Sequence, residues 1–194
     1  EIYPPGSIVK PAVVASALHD GKVRLDETID CTGFLISREY KAFHCWAEYG
    51  HGQPLSPSDA LKFSCNVYCY VLGQRLGLGR LTWWLGRFGI GQDLGTGLAE
   101  ERRGVLPTPL WVALNRGGGH SLGDARNIAI GQGDLRVTPL AAANMMATIA
   151  RNGVFVRPTI VLGGPRPERV SLDLDPAHMA AVRDGLVRVV NEEG

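Results

Sequence analysis

Ser7 and Lys10 stand three residues apart in Tyr3-Pro4-Pro5-Gly6-Ser7-Ile8-Val9-Lys10, at what reads as a helix start. Helix positions i and i+3 share a face, so the spacing predicts that the Lys10 amine reaches the Ser7 oxygen. A serine hydroxyl at its ordinary pKa is a poor nucleophile and needs an adjacent base. Lysine can be that base only after losing its own proton, which burial and nearby positive potential favour. A helix N-terminus supplies some of that potential. Alone, S-x-x-K is a common pattern, and a lysine in a first turn is ordinarily a surface charge.

A second polar group follows at Ser64-Cys65-Asn66, between two expected helices. A Ser and an Asn two apart at such a junction can both project into one cleft, although each alone reads as a helix cap.

The elements that must position these groups are legible in part. A buried helix is expected after Ser7, through Val13, Val14 and Leu18, ending near Asp20-Gly21, with Pro11 in its first turn. Residues 30–54 read as irregular. Ser56-Pro57-Ser58-Asp59 is a capping start for a short helix. Further helices are expected over Val67–Leu76 (stopping at Gly77), over Leu81–Phe88 (stopping at Gly89), from Thr138-Pro139 through Ala150, and from Asp175-Pro176 to about Val190. Asn152-Gly153 reads as a left-handed cap, and Val154 to Leu162 as a strand bent or edged at Pro158. Gln132 reads as part of a tight Gly-x-Gly turn, Thr138 as a cap, and Glu101-Arg102-Arg103 as a solvated loop.

With 194 residues, one domain is expected, and an apolar fraction of 45% supports a sizeable core. Lys and Arg number 20 against 19 Asp and Glu, so charge gives no argument for nucleic acid or an acidic membrane surface. No run of ~20 apolar residues is present, and no signal peptide is visible. Strand content is low, which points to a helical lobe or to a sheet lying outside these residues.

The motifs together resemble the class B penicillin-binding proteins, the D,D-transpeptidases of bacterial cell-wall synthesis, and most closely their penicillin-binding protein 2 branch. The match runs in order through Tyr-Pro-Pro-Gly-Ser-x-x-Lys-Pro at 3–11, Gly50-His51-Gly52, Ser64-Cys65-Asn66, Phe88-Gly89-Ile90-Gly91, Glu100-Glu101-x-x-Gly104-x-Leu106-Pro107 and Ile130-Gly131-Gln132-Gly133 through Leu140. S-x-x-K with S-x-N belongs to a motif set of this superfamily. Its third member, Lys-Thr-Gly or Lys-Ser-Gly, does not occur. The chain closes on Asn191-Glu192-Glu193-Gly194, where the family stands shortly before that motif. The resemblance therefore implies that residues 1–194 are an internal part of one α+β transpeptidase domain, mostly its helical lobe, and inactive alone.

The resemblance also implies roles. Ser7 would be the nucleophile and Lys10 its base, Ser64 a proton relay, and Asn66 a holder of Lys10 and of the substrate amide. The substrate would be the D-Ala-D-Ala end of a peptidoglycan stem peptide, with β-lactams as trapping mimics and a glycosyltransferase as partner. The location would be the extracytoplasmic face of the inner membrane. The rival readings are a class D-like β-lactamase, a β-lactam sensor, and a zinc-stabilised interaction module.

Four cysteines, Cys31, Cys45, Cys65 and Cys69, surround His51 in the sequence. Cys65 and Cys69, four apart at a helix start, are poorly placed to pair. A tetrahedral zinc held by Cys31, Cys45, His51 and Cys65, a Cys31–Cys45 disulfide, and free thiols all remain open. Penicillin-binding protein 2 relatives carry a zinc here on carboxylates, a His and a Cys. His51 and Cys65 match two of those positions, and Cys31 and Cys45 stand where the carboxylates would be. Such a zinc would be structural. Cys69 reads as a small buried apolar residue.

Overall fold

A computed structural model describes residues 1–40, 42–162, 164 and 166–192. The closing stretch read as preceding the missing motif includes Glu193 and Gly194, which lie outside the described residues.

The architecture is a helical lobe around one buried helix. A 3₁₀ turn, Gly6–Val9, leads into α1 (Lys10–His19). Every residue of α1 from Lys10 to Leu18 is buried. A helix apolar all round belongs in the middle of a core, and α1 packs against α2 (Pro57–Lys62), α3 (Asn66–Arg87), α6 (Pro139–Ala150) and α7 (Pro176–Asn191). The only expected charge on its buried length is therefore Lys10.

The capping signals act as the sequence suggests. Ser56 and Asp59 form a reciprocal capping box on α2, with Pro57 at the first helical position. Thr138 accepts from the Ala141 N–H at the start of α6, and Asp175 from Ala177 at the start of α7. The two helices expected before and after Gly77 form one long element, α3, broken only at Gly77 (φ 73°, ψ 160°).

Two helices were not anticipated: α4 (Pro109–Arg116) and α5 (Leu122–Ala129). Both carry readable signals, Thr108-Pro109 with a left-handed Gly117 for α4 and a Ser121/Asp124 capping box for α5. The expected strand from Val154 to Leu162 is shorter. β1 covers Val154–Val156 and pairs antiparallel with β2 (Arg169–Ser171), with Phe155 opposite Val170. Pro158 has no N–H to continue a ladder, and Ile160 to Leu162 project into solvent. Glu101, read as solvated, instead binds the N–H groups of Leu94 and Thr96 and the Thr96 hydroxyl, closing the 94–101 loop.

Candidate active site

Ser7 is placed by a backbone rack. Tyr3 and Val137 exchange both N–H···O bonds at 2.9 Å, and Gly6 N–H donates to the Gly131 carbonyl at 3.0 Å. Gly131 (φ 74°) has no room for a side chain, since a Cβ there would lie 2.1 Å from the Gly6 oxygen. On its other side, Arg136 pairs with Val105, and a Cβ on Gly104 would meet the Arg136 carbonyl at 2.2 Å. The matched stretches 104–107 and 130–140 thus hold the peptide entering Ser7. Ser7 itself is exposed, in the first turn of the 3₁₀ segment, where N–H groups have no intrahelical acceptor.

Ser64 is placed by the end of α2. Its N–H donates to the Leu61 carbonyl and the Cys65 N–H to Ala60, which together are a Schellman closure. The left-handed position of that closure normally takes glycine. Here Ser64 occupies it at φ 48°, a conformation costing a residue with a Cβ roughly 1–2 kcal/mol. The turn aims both Ser64 oxygens inward.

They meet Lys10. Lys10 is 1% exposed, and its Nζ lies 2.6 Å from the Ser64 carbonyl, 3.0 Å from Ser64 Oγ and 2.7 Å from Asn66 Oδ1. The expected reach to the Ser7 oxygen is not the contact made: the hydrogen bonds of Lys10 go to Ser64 and Asn66. The reason is that α1 is buried from its first residue, so the side chain runs inward to the α2–α3 junction. Ser7, Lys10 and Ser64 nevertheless line one cleft of about 210 Å³, with Leu61, Met146 and Leu186. Burial pulls the Lys10 pKa below its usual 10.5, against the opposing negative potential of Cys69, Cys65 and Cys45. The Ser64 carbonyl and Asn66 Oδ1 can only accept, so the Lys10 amine donates to both.

Neither Ser64 nor Asn66 is the cap of α3. That place is taken by Cys65, whose Sγ accepts from the Tyr68 N–H. Asn66 is oriented by its neighbours: Nδ2 donates to the His44 carbonyl at 3.2 Å, and its backbone N–H donates to Cys45 Sγ at 3.4 Å.

Cys45 belongs to a cluster with Cys31, His51 and Cys65, whose ligand atoms all lie within 4.8 Å of one another. Cys45 Sγ is 3.4 Å from His51 Nε2 and 3.9 Å from Cys65 Sγ. A tetrahedron with ~2.3 Å Zn–S and ~2.0 Å Zn–N bonds has edges of about 3.5–3.8 Å, so the donor set fits zinc in number and type, and the Cys45–His51 and Cys45–Cys65 separations lie close to those edges. All four cysteines are unbonded to one another. Thiol donation from Cys31 and Cys65 holds the Cys45 pKa far below the usual thiol range. Cys69 stays apart, wholly buried, its pKa pushed up to about 11 by burial.

Comparison with known proteins identifies the family and the fold. The penicillin binding protein transpeptidase domain family matches residues 1–194. Peptidoglycan D,D-transpeptidase MrdA of Acinetobacter baumannii is 32% identical over 161 residues, covering 82% of this chain and 24% of that protein. The chain thus spans about a quarter of that relative's length. Among solved structures, Pseudomonas aeruginosa PBP2 in complex with WCK 5153 superposes with a TM-score of 0.85 at 32% identity, covering 97% of this chain and 44% of that one. PBP2 from Helicobacter pylori in its complex with MreC gives 0.87 at 29%, covering 99% and 36%. With its S-x-x-K and S-x-N groups meeting at one buried amine, in the fold of those neighbours, the chain belongs to the penicillin-binding protein transpeptidase domain family.

Proposed function

We propose that this chain carries the acylating machinery of a serine D,D-transpeptidase that cross-links peptidoglycan stem peptides. Ser7 Oγ attacks the carbonyl carbon of the penultimate D-alanine, and Lys10, neutral at that moment, takes the Ser7 proton. The tetrahedral oxyanion meets the Ser7 N–H, which the 3₁₀ start leaves free for it. The Lys10–Ser64 contact gives a path for that proton to the departing amine: Ser64 donates to the nitrogen of the terminal D-alanine and is reprotonated from Lys10. Asn66 holds Lys10 and offers its amide to the substrate. The C–N bond breaks, an ester on Ser7 remains, and a second stem-peptide amine displaces Ser7 to form the cross-link. A β-lactam enters the same sequence, and its ring-opened acyl group stays on Ser7.

The observation that carries this reading is the burial of Lys10 against both Ser64 and Asn66. A surface lysine would stay charged and could not serve as a base. The test is labelling of the intact protein by a fluorescent penicillin. Ser7→Ala abolishes the label on this account, and labelling at the wild-type level removes Ser7 as nucleophile.

Cys31, Cys45, His51 and Cys65 are proposed to hold a structural zinc, supported by their donor types and spacing. When bound it would brace the loop that places Asn66, through the Asn66 N–H on Cys45 Sγ. Catalysis itself calls on no cofactor. Family membership supports a site at the extracytoplasmic face of the inner membrane and a glycosyltransferase partner. In Helicobacter pylori the related PBP2 is found in complex with MreC, and an equivalent partner fits this reading.

A further inference from the structure

Cys45 Sγ and Cys65 Sγ lie 3.9 Å apart with no bond between them, beside the residues that hold Lys10. A disulfide has its sulfurs ~2.05 Å apart, so closing one here takes about 1.9 Å of movement. The two cysteines differ in access. Cys45 is 8% exposed and Cys65 is fully buried, so a small oxidant arriving from solvent meets Cys45 first, with Cys65 behind it. They also differ in how firmly they are held. The Cys45 N–H donates to the Gly33 carbonyl, and the loop around it interlocks backbone to backbone: a Cβ on Gly33 would lie 2.0 Å from the Glu48 oxygen, and one on Gly50 1.7 Å from the Cys31 oxygen. Cys65 instead follows Ser64, the strained left-handed residue at φ 48°. Closing the gap therefore falls on the Ser64-Cys65-Asn66 turn. Ser64 and Asn66 make the side-chain bonds to the Lys10 amine. Cys65 Sγ caps α3 through the Tyr68 N–H, and Cys45 Sγ holds the Asn66 N–H. Cys69, the fourth thiol, is wholly buried and outside the cluster.

We infer that Cys45 and Cys65 are a redox modification site: a peroxide closes a reversible disulfide between them, which empties the metal site and draws Ser64 and Asn66 off Lys10. This rests on the zinc and transpeptidase readings and adds a control that neither contains. As metal ligands both sulfurs are thiolates. Cys45 Sγ attacks one peroxide oxygen, the O–O bond breaks, and the departing hydroxide takes a proton to become water. Cys45 then carries a sulfenic acid, and Cys65 is its resolving thiol. Cys65 Sγ attacks the Cys45 sulfur, the S–O bond breaks, and a second hydroxide takes a second proton. The two sulfurs together lose two electrons, and the peroxide is reduced to two waters. Cys31 and His51 remain as donors, two fewer than a structural tetrahedral site uses, so the site gives up its metal. A reductant of the dithiol class returns both thiols.

The experiment uses the intact protein, hydrogen peroxide as oxidant, and dithiothreitol with added zinc as the reversal. Disulfides are mapped by mass spectrometry after alkylation of free thiols, released zinc is read with a chromogenic chelator, and Ser7 acylation is followed with a fluorescent penicillin. The expected result is a Cys45–Cys65 crosslink with about one equivalent of zinc released in step with it. Acylation slows by roughly tenfold to a hundredfold, as for a ~1 Å misplacement of a reacting group, and reduction with zinc restores it. Cys69→Ala responds like the wild type. Cys31→Ser still forms the crosslink. Cys65→Ser, which keeps an oxygen to cap α3, does not form it, and the wild-type map decides the pairing should that variant fail to fold. Three results overturn the inference. One is a disulfide that maps to Cys31–Cys45, or sulfinic and sulfonic products with no disulfide. The second is a crosslinked protein that acylates at the unoxidised rate. The third is an equal slowing by peroxide in Cys65→Ser, which places the damage elsewhere. The supporting readings fail separately. Untreated protein without zinc dismisses the metal, while the mapped crosslink and the acylation rate still decide the thiol pair. Untreated protein that takes no label on Ser7 overturns the transpeptidase reading and, with it, the effect assigned to the crosslink.

Discussion

The Lys10 amine and the Asn66 side-chain oxygen meet at 2.7 Å across 56 positions of sequence. That hydrogen bond ties the buried helix α1 to the first residue of α3, and it makes the protonation state of Lys10 a property of the α2–α3 junction.

Lys10→Ala should lower the acylation rate constant by at least ~10²–10⁴-fold, the usual contribution of a general base. Lys10→Arg should not restore it, because guanidinium keeps its proton at any accessible pH. Stopped-flow acylation by a penicillin measures both. An arginine variant within tenfold of the wild type would contradict a proton-accepting role.

The pH dependence has a definite sign. Burial lowers the Lys10 pKa below 10.5, so the neutral base accumulates as pH rises and acylation climbs on a limb centred below that value. Asn66→Asp places a carboxylate on Nζ, favours the ammonium form, and moves the limb to higher pH. The linked effect on stability follows the same group. Protonated Lys10 is penalised in the folded state, so folding gains stability as pH rises from the folded value towards 10.5, and the penalty is full below that window. A pH series of acylation rates, with matching denaturant melts, reads both.

Ser64→Gly should stabilise the protein while impairing it. Glycine removes the left-handed strain at φ 48°, worth roughly 1 kcal/mol, and removes the hydroxyl that Lys10 contacts. Thermal melting should rise by a few degrees as acylation falls. A variant that loses stability would show that the Ser64 hydroxyl, rather than the backbone, holds the turn.

Gly131→Ala should be among the most damaging small changes. A Cβ there lies 2.1 Å from the Gly6 oxygen, at a positive φ. Strain and overpacking together cost about 3 kcal/mol or more. Because the displaced residue precedes Ser7, the variant that still folds should also acylate slowly. Melting and penicillin labelling on one preparation test it.

Purified protein should carry close to one equivalent of zinc by elemental analysis. Cys45→Ala should lose it and melt at lower temperature, since Cys45 also accepts the Asn66 N–H. Less than a tenth of an equivalent in the wild type would dismiss the metal.

The chemistry was more legible in the sequence than the frame that holds it. Motif spacing and the family resemblance singled out Ser7, Lys10, Ser64 and Asn66, and the resemblance singled out Cys31, Cys45, His51 and Cys65, whose donor atoms the fold brings within 4.8 Å of one another. Their contacts depend on geometry that side-chain types do not announce. The Lys10 acceptors include the Ser64 backbone carbonyl, and Ser7 is held by Gly6–Gly131 and Tyr3–Val137 backbone bonds. Strong caps such as Ser56/Asp59 were readable, whereas α4 and α5 passed unseen because their apolar stripes are short: Val112 is the one buried residue of α4. The strand expected to run to Leu162 shows the reverse error, since β-branched residues after Pro158 find no ladder to join.

The most direct test is peptide mapping of the intact protein after brief reaction with a penicillin. The account predicts a single ester adduct on the peptide carrying Ser7, formed faster as pH rises and lost in Lys10→Ala. An adduct on Ser64, or undiminished adduct on Ser7 without Lys10, would contradict it.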